Sequence, residues 1–106
     1  MKNLVLVGGA GGIGRSLAVR AFDEGWEVTV MDLEKSLINH PPKKGIETRN
    51  IDLKDHLSIS KAFAGFKSLS GLVNLAGFMH GLNSLENTTN EEFDEVMSVN
   101  FRGAFI

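Results

Sequence analysis

The residues most suited to chemistry lie near the start of the chain, in Val7-Gly8-Gly9-Ala10-Gly11-Gly12-Ile13-Gly14-Arg15. Glycines at this density permit a tight turn and let backbone N–H groups approach a pyrophosphate. The last of them lets a following helix pack close to a sheet, and the helix N-terminus offers unpaired N–H groups to the phosphates. The spacing fits three registers: Gly9-x-Gly11-x-x-Gly14, Gly8-x-x-Gly11-x-x-Gly14 and Gly8-x-x-x-Gly12-x-Gly14. A side chain at Gly12 would intrude on the phosphate path, and Ile13 belongs to the same turn. No Lys-Ser or Lys-Thr pair comes after the last glycine, so this is not the phosphate-gripping loop of ATPases. Asp32 lies 18 residues beyond Gly14. A carboxylate there accepts hydrogen bonds from the adenosine ribose hydroxyls and repels a 2′-phosphate. Leu33 is next, no basic residue precedes Gly12 in the loop, and Arg15 is the only nearby cation by sequence. NAD is therefore expected over NADP. The alternative for Asp32 is a cap for the helix beyond it.

The elements that position these groups can be read from hydrophobic period. Leu4–Val7 is a short continuous apolar run ending at glycine, which suits a strand buried on both faces. Ile13, Leu17, Ala18, Ala21 and Phe22 recur at helical spacing up to Glu24, and Gly25 is a stop. Trp26–Met31 reads as the second strand and Leu33–Asn39 as a short helix closed by Pro41-Pro42. Ile46–Ile51 is the third strand, Asp55–Phe66 an amphipathic helix and Gly71–Leu75 a fourth strand. Thr88 with Glu91, or Thr89 with Glu92, has capping-box spacing for a last helix with the stripe Phe93, Val96, Met97, Phe101 and Phe105. Alternation of strand and helix predicts α/β: a Rossmann-type doubly wound parallel sheet, in part, of about four strands with flanking helices.

Composition narrows the function classes. The 106 residues allow one domain at most, and 42% hydrophobic with 23% charged residues is globular. Net charge is −2 with no basic block, so no nucleic acid is expected; Lys43-Lys44 reads as a solvated loop. There is no cysteine, hence no disulfide framework and no thiolate metal site, which fits a cytoplasmic protein. No segment is long and apolar enough for a signal peptide or a membrane span. His40, His56 and His80 lack metal-ligand spacing, so no metal is expected; His80 alone could border a cofactor crevice. Met31, Met79, Met97 and Trp26 read as core, and Glu91-Glu92-Asp94-Glu95 as a solvated helix start.

With these residues in view, the chain resembles the short-chain dehydrogenase/reductase family. The glycine register of that family, TGxxxGxG, is met by Gly8, Gly12 and Gly14, with Val7 in place of the Thr. An Asp and an apolar residue that contact adenine after the third strand correspond to Asp52-Leu53. Asn74-Leu75-Ala76-Gly77 matches three of the four residues of Asn-Asn-Ala-Gly. Val99-Asn100-Phe101-Arg102-Gly103 matches the Val-Asn context of the long helix. The resemblance implies nucleotide contacts at Gly8, Gly11, Gly12, Ile13, Gly14, Asp32, Leu33, Asp52, Leu53, Asn74, Ala76 and Gly77. It implies for Asn100 a place in the catalytic set: the side chain breaks its helix so that a carbonyl holds a relay water.

The same resemblance implies hydride transfer between NAD(H) and a small alcohol or ketone, in a homo-oligomer. The family's Ser, and its Tyr with a Lys four residues on, are not in this chain, which has no tyrosine. The expectation is thus an N-terminal, dinucleotide-binding portion, residues 1–106, catalytically incompetent alone. A non-catalytic nucleotide-binding module is the alternative. The fourth strand is expected to be an open edge and the last helix to lose part of its cover.

Overall fold

The computed structural model describes residues 2–77 and 84–106. His80 and Met79 lie outside the described residues. Four strands, β1 (Asn3–Val7), β2 (Glu27–Asp32), β3 (Glu47–Asn50) and β4 (Gly71–Asn74), form one parallel sheet in the order β3-β2-β1-β4. Between and after them run α1 (Gly12–Asp23), α2 (Glu34–Asn39), α3 (His56–Phe63) and α4 (Asn90–Met97). A π-helical segment, Ser98–Arg102, joins α4 to the short α5 (Gly103–Phe105). The expected doubly wound arrangement is present as its first four strands, with β4 at an open edge among the described residues.

The apolar run of β1 is buried on both faces because the sheet is covered on both. Leu4 and Leu6 face one core with Ala18 and Ala21 of α1, Val28 and Val30 of β2 and Leu37 of α2. Val5 and Val7 face the other, with Met31, Ile51, Leu53 and Ile59 and Ala62 of α3. Strands of alternating sidedness sandwiched by helices read as continuous hydrophobic runs for this reason. The edge strand β3, Glu-Thr-Arg-Asn, is polar and largely exposed, as edges are in natural sheets.

Arg49 of β3 has a structural role that its residue type does not announce. Its Nη1 donates to the carbonyls of Ala62 and Ala64 at 2.8 Å, capping the C-terminus of α3. Its guanidinium also lies 4.3 Å from the centre of the Phe66 ring. Such charge-assisted bonds contribute about 1.5–3 kcal/mol each, and the stacking adds to them. Lys43 is not merely solvated. It donates to Asp23 at 2.9 Å and lies over Phe22, tying the Pro41-Pro42 loop to the end of α1.

The last helix departs from the expected single amphipathic stripe. Thr89, not Thr88, is its cap: Thr89 Oγ1 accepts from the Glu92 N–H at 3.1 Å and donates to the Glu92 carboxylate at 3.2 Å. Phe93, Met97, Phe101 and Phe105 are exposed, Phe105 at 85%, so Met97 is not a core residue. Val99 and Gly103 attach the helix to the core instead. Ile13 and Leu57, counted on helical stripes, are also exposed. Met31 is fully buried and Trp26 half-buried beneath Lys2.

Candidate nucleotide-binding site

The glycines divide by what a side chain would meet. Gly8 has φ +78°, where only glycine is unstrained, and an added Cβ would stand 2.5 Å from the Ala76 nitrogen. Its N–H donates to the Met31 carbonyl at 2.7 Å. Gly14 sits on Gly9, with a virtual Cβ 2.6 Å from the Gly9 Cα, and Gly9 sits on Val30 and the Leu6 carbonyl. This glycine pair is what lets α1 pack against the sheet. Gly9 therefore belongs to the site as a packing residue that the family resemblance does not assign, although one glycine register contains it. Gly12 is different: a Cβ there meets nothing within 4 Å, and its backbone is not in the left-handed region. The fold does not require glycine at position 12.

At the head of α1, Gly11 caps without a side chain. No described residue accepts from the N–H groups of Gly12, Ile13 or Gly14. These open donors lie at the positive end of a 12-residue helix. The local arrangement fits an anionic pyrophosphate.

Asp32 ends β2 beside this loop. Its Oδ2 accepts from the Ala10 N–H at 3.1 Å and its Oδ1 from the Leu33 N–H at 2.8 Å. Asp32 is not the cap of α2, since Leu33 occupies that position. The carboxylate therefore braces the glycine loop, and its remaining lone pairs stay available to ribose hydroxyls. The Ile51 N–H donates to the Asp32 carbonyl, which places Asp52-Leu53 next to Asp32-Leu33. Asp52 is fixed in turn: its N–H donates to Ser58 Oγ at 2.8 Å, and its Oδ1 accepts from the Lys54 N–H at 3.0 Å. After β4, Asn74 Oδ1 accepts from the Ala76 N–H at 3.0 Å and turns the chain against Gly8.

These segments enclose a crevice of about 530 Å³ at the carboxyl ends of the strands. Gly8, Gly11, Asp32, Leu33, Asp52, Leu53, Ala76 and Gly77 line it. Gly12 opens instead onto a groove of about 550 Å³ on the other side of the loop, which Arg15 and His40 also line. Ile13 is exposed, Gly14 is buried in the loop packing, and Asn74 acts through its turn. Besides Ser36 and His40, two charged crevice residues escape a reading by motif, Lys54 and Glu95. Their 3.7 Å ion pair crosses from the loop after β3 to α4. Arg15 is thus not the only cation near the site, although Lys54 is held by an acid. Among the described residues no cluster of histidines and acids could hold a metal.

Asn100 lies in the π segment Ser98–Arg102, where the helix continues through a wider turn. Single π turns inside α-helices concentrate at functional sites. The Asn100 Oδ1 stands 3.8 Å from the position of a Cβ on Gly77. Two motifs 23 residues apart in sequence are thereby brought together.

Residues 2–106 match the family described as short chain dehydrogenase. Levodione reductase of Leifsonia aquatica is 28% identical over 115 residues, covering 97% of this chain and 43% of that protein. Dehydrogenase/reductase SDR family member 6 of Aquarana catesbeiana is 33% identical over 106 residues, covering 99% and 43%. The crystal structure of levodione reductase superposes with a TM-score of 0.79 at 28% identity, over 98% of this chain and 45% of that one. A solved short chain dehydrogenase/reductase family protein reaches 0.84 at 24% identity, a likeness of fold. The chain belongs to the short-chain dehydrogenase/reductase family, whose members are oxidoreductases that bind NAD(P), and spans less than half the length of these relatives. No described helix is long and apolar enough to cross a membrane.

Proposed function

We propose that this chain is the dinucleotide-binding part of an oxidoreductase that moves hydride between NAD(H) and a small alcohol or ketone. The observation that supports the reading is the first turn of α1, whose N–H groups at Gly12, Ile13 and Gly14 have no acceptor among the described residues, beside a crevice lined by Gly8, Gly11 and Asp32. NAD supplies the hydride acceptor when bound. The chain's own residues bind and orient: the α1 N-terminus holds pyrophosphate, Asp32 the adenosine ribose, and the Asp52-Leu53 and Leu33 walls the adenine. Asn100 sits beside Gly77 as a member of the catalytic set. A homo-oligomer in the cytoplasm completes the reading.

Asp32→Ala is expected to weaken NAD binding by about 10- to 150-fold, the equivalent of about 1.5–3 kcal/mol for bonds to a charged group. The same change removes repulsion of a 2′-phosphate, so the ratio of NAD to NADP affinity falls. Calorimetric titration with both cofactors reads this; NADP preferred with Asp32 in place would contradict the assignment.

Proton transfer to or from a substrate oxygen needs a positioned acid or base. The 106 residues hold no tyrosine, and Asn100 does not titrate. The chain by itself is expected to bind NAD and show no alcohol oxidation, read as the absence of NADH absorbance with a panel of secondary alcohols. Turnover by the purified chain would overturn the incompetence, not the binding.

A further inference from the structure

Gly103 is the only buried residue between Asn90 and Phe105, and its contacts are close. An added Cβ would stand 2.6 Å from both the Cβ and the carbonyl oxygen of Leu53, and 3.1 Å from the Ser98 carbonyl. The Gly103 N–H donates to that Ser98 carbonyl, closing the π turn. One missing side chain thus meets two demands. It admits the backbone of the loop after β3, and it clears the carbonyl that the turn uses. The turn so closed contains Asn100, whose Oδ1 stands by Gly77. Leu53 is itself buried and lines the crevice.

We infer that Gly103 is a positioning residue: its contact with Leu53 fixes the π turn and hence Asn100, and it couples Asn100 to occupancy of the adenine wall. The coupling rests on the adenine position proposed for Asp52-Leu53; the positioning does not. Physically, Leu53 and Gly103 leave no slack. Gly103 meets the Cβ and the carbonyl of Leu53 with no side chain of its own between, so a shift of the Asp52-Leu53 loop on ligand binding has to be taken up by the π turn. Val99 also attaches this helix to the core, through its side chain and away from the Leu53 backbone contact.

Amide hydrogen exchange and 15N NMR on the 106-residue chain test both parts. Without ligand, Gly103→Ala is expected to speed exchange at residues 99–103 at least tenfold, while Leu6 and Val30 in the sheet keep their protection. Val99→Ala is expected to change Asn100 by less than threefold. With 5′-AMP as probe, the Asn100 amide of the wild type shifts on titration. In Gly103→Ala that shift is lost while AMP affinity stays within about threefold, a separation that a purely structural role does not give. Equal effects of Gly103→Ala and Val99→Ala, or general loss of sheet protection in Gly103→Ala, would overturn a local positioning role. An Asn100 response to AMP that survives Gly103→Ala would overturn the coupling. Absence of AMP binding to the wild type would refute the adenine reading and the coupling with it, leaving positioning decided by the unliganded exchange.

Discussion

Gly12→Val is expected to leave the unliganded chain folded and to remove its dinucleotide binding. The two halves of that result come from different facts. Outside its chain neighbours and its own helix turn, a Cβ at position 12 meets no atom of the described residues within 4 Å, and the backbone there lies outside the left-handed region. Valine therefore introduces no clash and little strain beyond the β-branched penalty at a helix start. The N–H groups of Gly12, Ile13 and Gly14 have no acceptor among the described residues, and the proposed pyrophosphate lies against them. An isopropyl group there keeps the pyrophosphate from reaching those donors. Losing two bonds to a charged group amounts to about 3–6 kcal/mol, on the order of 100- to 10,000-fold in affinity. Thermal melting and calorimetric titration with NAD read the two halves separately. An unfolded variant, or a folded one of unchanged affinity, would remove the functional meaning of this glycine.

Gly8→Val has the opposite signature. Position 8 is at φ +78°, a conformation that costs a β-branched residue about 1–3 kcal/mol. Its Cβ would stand 2.5 Å from the Ala76 nitrogen, 2.7 Å from the Ala76 Cα and 2.8 Å from the Leu75 carbonyl carbon. These are backbone atoms of the turn after β4, and Leu75 is held to β1 by its N–H to the Val7 carbonyl at 2.7 Å. Relief requires the end of β4 to separate from β1, with an overpacking cost of about 1–3 kcal/mol. The sum is a large part of the roughly 5–15 kcal/mol typical of a folded domain. β4 is an edge strand among the described residues and takes the clash directly, so it yields first. A drop of several degrees to tens of degrees in melting temperature is expected, with binding lost as a consequence. A Gly8→Val chain that melts like the wild type would show that the close approach of Gly8 to Ala76 is not a feature of the protein in solution.

The contrast between Gly8 and Gly12 marks how much of the site is legible in the sequence. A glycine pattern announces a turn that meets phosphate, but it does not say which glycine serves the chain and which the ligand. That sorting depends on Ala76, Val30 and Leu6, none of which the glycine pattern contains. Asp32 is similar. Its position after β2 is readable, yet its bonds to the N–H groups of Ala10 and Leu33 emerge only once the sheet sets β2 beside the loop. The strands are readable because β1 is apolar throughout and lies between two covered faces, and even the polar β3 can be placed by its position between helices. The last helix is the least readable. A stripe at 3.6-residue period assumes an uninterrupted α-helix. The π turn at Ser98–Arg102 inserts a residue into that repeat, and the stripe is exposed on both sides of it, at Phe93 and Met97 before and at Phe105 beyond. No local composition encodes the reason, which is the fit of Gly103 against Leu53.

The glycine loop and Asp32 are proposed to hold a dinucleotide. The most direct measurement is calorimetric titration of the purified 106-residue chain with NAD, run beside the folded Gly12→Val variant. One saturable site per wild-type chain and none in the variant is expected. Absence of binding to a folded wild-type chain, or equal binding by both, would contradict that proposal.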